Sequence, residues 1–212
     1  MIRRIVLIIP SFAIAFAILM ISVLRTASVK YEFAGIVNGS TDIKVLGDNT
    51  TQVNYDLAYP GKVLPDSPLW PVKAARDKIW LATTTNTSRE AELLLLFADK
   101  RLGASKIFFE NNEPERGLVT LQKAEAYLMD ASNKERENSS RGMNTSEFLG
   151  HIALASLKHR QIIEEEILPL APDDAKPAIV QTVDISKTVN CTSVQALRDK
   201  GLKYPENPFE GH

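Results

Sequence analysis

One cysteine, Cys191, stands in a chain of 212 residues. A lone thiol excludes an internal disulfide and a cysteine-based metal cluster, so any folded region must be held by its apolar core; a bridge between two chains is the one disulfide left open. An excess of charge is missing too. With 25 Lys+Arg against 26 Asp+Glu the net charge is −1, and the two signs are interspersed, which gives no field strong enough to hold a nucleic-acid backbone. No G-x-S-x-G, H-E-x-x-H, C-x-x-C or phosphate-binding glycine loop occurs, so nucleophilic, zinc and nucleotide chemistry lack a starting point.

What the chain has, first, is a run without charge. "IVLIIPSFAIAFAILMISVL", Ile5 to Leu24, is twenty residues long, and as a helix it reaches about 30 Å, the thickness of a bilayer's hydrocarbon core. Pro10 falls within its first two turns, where groups near the interface satisfy the freed carbonyl. The competing reading is a cleaved signal peptide. Its apolar run is shorter, about 7 to 15 residues, and ends in a small-x-small site, which "SVLRTASVK" supplies poorly. No Cys follows the run, which excludes lipid attachment in the lipoprotein manner. Arg3 and Arg4 precede the span, and Arg25 and Lys30 follow it. The N-terminal amine tips this near-tie towards an N-terminus inside, with the bulk of the chain extracytoplasmic at the cytoplasmic membrane.

Six Asn-x-Ser/Thr sequons come next, at Asn38, Asn49, Asn86, Asn138, Asn144 and Asn190. Chance placement of these residue types gives roughly one or two, so the excess suits an N-glycosylated exported chain from a eukaryote or an archaeon. The bland alternative is that Asn, Ser and Thr gather at caps and turns anyway. Asn86 and the pair Asn138/Asn144 fall at two helix connections, which we place at opposite ends of the folded part.

The composition divides the chain into a stub and anchor (residues 1–30), a linker (31–62), a helical domain (63–201) and a mobile tail (202–212). From residue 64 the apolar period becomes that of helices. In "LPDSPLWPVK", Ser67 is a good N-cap and Pro68 suits a first helical position. Pro71 would then remove a helical bond, so the expectation is one tight turn over 68–70 and a helix to about Thr83, with Leu69, Trp70, Val72, Ile79 and Trp80 on its apolar face and Trp70 as an early core anchor. A capping box from Thr87 to Glu90 opens a second helix running to about Glu110. Asn112 and Pro114 open a third, with Leu118, Leu121, Ala124, Leu128 and Ala131 on its core face. Asn144 to Glu147 opens a fourth, ending at Pro169 to Pro172. Asp173 or Asp174 caps a fifth, stopped at Gly201. The fold class is all-α: a transmembrane helix followed by an antiparallel bundle of about five helices.

Leu64, Pro65, Ser67, Pro68, Leu69, Trp70 and Lys73, then Ala91, Glu92, Ala98, Arg101 and Leu102, follow a Leu-Pro-x-Ser-Pro-Leu-aromatic…Lys pattern and an A-E-x₅-A-x-x-R-L run. His159 with Pro172, Asp173, Asp174, Ala175 and Lys176 adds a later segment. On these residues the chain resembles an uncharacterised prokaryotic family of extracytoplasmic helical domains, a domain of unknown function, over about residues 60–190. Pro71 departs from its pattern, where a large apolar residue is usual. The resemblance implies export or membrane anchoring and supplies no reaction.

Candidate chemistry is sparse. His151 and His159 sit two turns apart, about 12 Å, too far to share a metal. Glu147 and His151, at i and i+4, offer two ligands, though a capping Glu and a half-buried His explain them better. His159, on the face of Ile152, Ala155 and Ile162, is expected to hydrogen-bond across the bundle, with a pH response as its functional alternative. Glu164 to Glu166 read as a solvated surface. The expectation is therefore no catalytic residue, no cofactor and no metal, and a membrane-anchored, non-catalytic interaction or structural module with a protein partner in a membrane or envelope complex. A sensor or holdase that binds a ligand or unfolded chain is the alternative, and a hydrolase with an unrecognised site stands lower.

Overall fold

A computed structural model describes residues 53–209. Among them are five α-helices and no strand: α1 (Trp70–Thr83), α2 (Thr87–Glu110), α3 (Pro114–Ser140), α4 (Ser146–Gln161) and α5 (Lys176–Asp199). The charge-free run Ile5 to Leu24, with Asn38 and Asn49, lies outside the described residues, and no helix within them is long and apolar enough to cross a membrane.

Helices α2 to α5 form the bundle, with α2 against α3, α5 against α4, and α3 against α5. Helix α1 is not a fifth member; it lies outside, pinned by Trp80 on Leu93, Leu96 and Phe97. Of the expected apolar face only Trp80 is buried, at 3% exposed; Trp70, expected as the anchor, is half-buried, and Leu69, Val72 and Ile79 are exposed. The reason lies in the punctuation. Turns over 65–69 delay the helix to Trp70, so its N-cap is Leu69 and Pro71 falls inside the first turn, where no helical bond is lost.

The other helices start one or two residues away from their expected caps. Asn86, not Thr87, caps α2, its Oδ1 accepting from the Ser88 and Arg89 N–H groups at 2.9 and 3.2 Å. Asn112 takes φ +60 in the turn, so Glu113 caps α3. Ala175 rather than Asp173 or Asp174 caps α5, while Asp173 pairs with Lys176 at 2.7 Å. Helix α4 does not simply stop at the prolines. It passes into a π-helical turn (Ile162–Ile167) and a 3-10 turn (Leu168–Leu170), an inserted residue's worth of backbone that lets Ile162, Ile163 and Ile167 all point inward.

The end of the linker, which the sequence allows to lean on the helices as a hairpin, and the tail both pack on the bundle. Residues 53–63 cross the bundle without regular secondary structure as a strap, with Val53 and Pro60 buried. Gly103 of α2 makes room for it: a Cβ there would lie 3.1 Å from Pro60 Cδ. In the tail, Tyr204 and Phe209 lie over the guanidinium groups of Arg198 and Arg160, at 4.5 and 4.4 Å.

Candidate functional site

Two of the core's apolar clusters flank a polar layer. One gathers Leu102, Leu121, Ala124, Ile163 and Val183; the other gathers Ala98, Leu128, Ala155 and Val189. Between them each bundle helix inserts one polar residue: Asp99 from α2, Glu125 from α3, His159 from α4 and Ser186 from α5, all buried. His159 Nδ1 lies 2.6 Å from Glu125 Oε1, and its Nε2 lies 3.1 Å from Asp99 Oδ1. Ser186 Oγ donates to Glu125 Oε2. The strap completes the layer, with Tyr55 Oη donating to Asp99 Oδ2 at 2.8 Å and the Ala58 N–H at 3.4 Å.

The protonation state follows from counting donors. Both ring nitrogens of His159 face carboxyl oxygens; a neutral imidazole donates only once, so the protonated ring is the form that donates to both. Burial alone would push its pKa down, but the charge of Glu125 and hydrogen bonds to both carboxylates carry it up to about 9. Burial and the Asp99 charge push the Tyr55 phenol the other way from ionisation, well above its usual value. The layer therefore holds one cation between two carboxylates whose remaining oxygens take donors from Ser186, Tyr55 and the Ala58 backbone. Truncating one member of such a set costs far more than the set contributes, because a charge is left buried without its partner.

This arrangement is poor at chemistry. Ser186 gives its proton to a carboxylate instead of facing the imidazole, which is not how a nucleophile is activated. Both histidine nitrogens are committed, and among the described residues no group of three or more His, Cys, Asp or Glu is placed to hold a metal ion. His151, near Glu147 and Glu92, is a separate buried ring whose pKa burial lowers. Glu164 bonds to Arg160 at 3.0 Å and Glu166 to Lys106, so the acidic run is tied into surface ion pairs.

A second cluster joins the strap to α1. Lys73 Nζ donates to the carbonyls of Pro60 and Val63, both at 2.9 Å. Its ammonium, with a pKa lowered first by burial, lies 5.2 Å from the Trp70 ring centroid, and Arg101 lies 5.3 Å from that ring and 5.0 Å from Tyr127. The cleft they line encloses about 20 Å³, room for little more than a water molecule. The Leu-Pro-x-Ser-Pro-Leu-Trp…Lys pattern is thus a clasp: its turns set the angle of α1, and its lysine ties off the strap. The family described as Domain of unknown function (DUF5667) matches residues 62–171, just over half of the chain. The chain belongs to the DUF5667 family. The match begins at the clasp and ends with the turns after α4, so Tyr55 of the strap and Ser186 of α5 lie outside it. No curated protein and no solved structure matches the chain.

The sequon asparagines separate by environment. Asn190 is buried and donates its amide to Ala153 O at 2.9 Å and Ser156 Oγ at 3.2 Å, and Asn138 is buried in the last turns of α3. Neither nitrogen has room for a glycan in the folded bundle. Asn86 and Asn144 are exposed, and each spends only its oxygen on capping, Asn144 Oδ1 accepting from the Ser146 N–H at 3.2 Å. They sit at one pole, not at opposite ends, because α2 and α3 carry the chain away and back. Met143 Sδ lies 3.8 Å from both Thr87 Oγ1 and Ser88 Oγ. Glu135, Thr145 and Lys200 close the same pole, with Thr145 donating to Glu135 at 2.5 Å.

Asp99, Glu125, Ser186 and Tyr55 escaped the sequence reading. The signal was present, since Glu125 stands between Leu121 and Leu128 on the apolar stripe of α3, and Asp99 adjoins Ala98 and Leu102 on that of α2.

Proposed function

We propose that the protein is a membrane-anchored, extracytoplasmic, non-catalytic interaction module, a subunit of a membrane or envelope complex in a prokaryote of the archaeal kind, held by the span Ile5 to Leu24 with its N-terminus inside. The observation that carries the reading is the enclosure of the Asp99–Glu125–His159–Ser186 layer: His159 is 0% exposed. The titratable groups most like a site are spent on fixing how four helices and a strap meet, which leaves the outer surfaces of the bundle to carry a role. The exposed amides of Asn86 and Asn144 support glycan attachment at one pole of the bundle, away from its long sides. Purification of the native protein in mild detergent, followed by cross-linking mass spectrometry, tests the reading. One or a few partners in fixed ratio, linked through residues 64–201 or the anchor, are expected. A free monomer whose soluble form turns over a substrate would replace it with an enzyme.

The sensor alternative has one observation of its own. Tyr55 connects the strap, and hence the chain leading to the anchor, to a titratable histidine through a single carboxylate.

A further inference from the structure

Helix α1 is apolar on both sides. Trp80 and Leu81 pack inward, while Val72, Ala75, Ile79 and Ala82 recur at intervals of three and four on the opposite face and are exposed, Val72 at 57% and Ile79 at 37%. Leu69, 63% exposed, extends the stripe at its N-terminal end. An apolar face of this length is normally buried, yet this one lies on the outside of the bundle. Its charges are placed with equal regularity. At 100° per residue, Arg76 and Lys78 flank the stripe on either side, and the helix holds Lys73, Arg76 and Lys78 against Asp77 alone. It is basic in a chain whose net charge is −1.

We propose that this face of α1 docks on an anionic lipid surface, with Val72, Ala75 and Ile79 entering the headgroup boundary, Lys78 meeting phosphates and Arg76, paired with Asp77, at the opposite border. An apolar stripe bordered by cations is how interfacial helices bind membranes. Two observations favour a lipid surface over a second copy of the chain. Pairing two such faces about a two-fold axis would set like charges together, and the sole acidic residue, Asp77, is already paired with Arg76 at 2.6 Å. The chain before the strap also carries the uncharged run Ile5 to Leu24, and only residues 25–52 separate that run from the strap, so an anchored chain keeps the bundle beside a bilayer. The inference rests on the anchored reading. It adds an orientation: the bundle lies along the membrane on α1, with α2 to α5 stacked above.

The test uses the full chain in vesicles of phosphatidylcholine with or without phosphatidylglycerol. A spin label is placed at Ala75→Cys in a Cys191→Ser background, and the exposed native Cys191 serves as the control site. The ratio of oxygen to nickel-chelate collision rates at position 75 is expected to be several-fold above that at 191 in anionic vesicles, to fall in phosphatidylcholine alone, and to fall likewise with Ile79→Glu and Val72→Glu, both at exposed positions that leave the fold intact. A label at 75 as open to the nickel chelate as the one at 191, in protein that stays with the vesicles through alkaline washing, overturns the docking and leaves the anchor standing. Protein washed off the vesicles overturns the anchored reading, and the docking with it. Dipolar coupling between labels at 75, or shielding of that label from both reagents, overturns the docking in favour of a second copy or residues 25–52.

Discussion

Raising the pH should loosen the bundle through one residue. His159 binds its proton with a pKa of about 9 in the folded chain, against an ordinary 6.5. A base whose folded pKa is raised contributes stability that is fully present below the unfolded pKa and is lost as pH climbs to the folded one. The difference corresponds to about 3 kcal/mol, lost between pH 6.5 and 9. With a urea slope near 1.5 to 2 kcal/mol/M for a domain of this size, the midpoint should drop by about 1.5 to 2 M. Other groups act elsewhere or with the opposite sign. His151 has a lowered pKa, so it destabilises the fold only as pH falls below 6.5. Tyr55 matters above pH 10. Lys73 and Lys100, lowered by burial, favour the fold as they lose protons at alkaline pH. Glu125→Gln separates the terms: it removes the strongest attraction on the imidazolium and keeps an oxygen for the Ser186 hydroxyl, so the fall should begin at lower pH and be smaller, with the lysine contributions unchanged. Urea melts at half-unit steps, with the His159 ring followed by NMR, read both quantities. A midpoint that is flat from pH 6.5 to 9, or a ring titrating near 6.5, would refute the ion-layer argument.

Trp80→Ala should cost about 3 to 5 kcal/mol in the same melts, because it empties a buried site under α1. Trp70→Ala should cost about 1 to 2 kcal/mol, the scale of its contacts with Lys73 and Arg101. Gly103→Ala should raise amide exchange in residues 53–60 while leaving α2 to α5 protected, since the new methyl meets the Pro60 ring at 3.1 Å. Glycopeptide mapping of native protein should find Asn86 and Asn144 modified and Asn138 and Asn190 bare.

Helix existence was legible because the apolar period and the turn residues agree locally: the end of α2 at Glu110 and of α5 just before Gly201 needed nothing beyond the residues themselves. The length of α3 was not. Its last turns are polar, and they are helical because Glu135 and Asn138 are buried against the other helices at the pole, a tertiary reason. The π-helical turn after Gln161 hides likewise, since an inserted residue leaves no composition mark. His159 could be placed on an apolar face and expected to bond across the bundle, but its partners could not be named from α4 alone. Asp99 and Glu125 become intelligible only when three helices meet, because each alone looks like a charge at the edge of a stripe. Trp70 misled for a local reason: two turns of backbone before α1 rotate it out of the core and bring Trp80 in.

The strap also sets an order of assembly. Val53 leaves the ribosome early among the described residues, yet its N–H bonds to Gln161, 108 positions later. At ordinary synthesis speeds that is a wait of roughly 5 to 20 s. Tyr55 waits less for Asp99, but His159 must arrive before that carboxylate is balanced. Residues 53–63 are therefore made first and seated last, and their docking reports that α2, α3 and α4 have met correctly. A chain that stalls or misfolds before residue 161 keeps this segment undocked, extended and open to proteases, so the N-terminal end of the domain acts as its own quality mark.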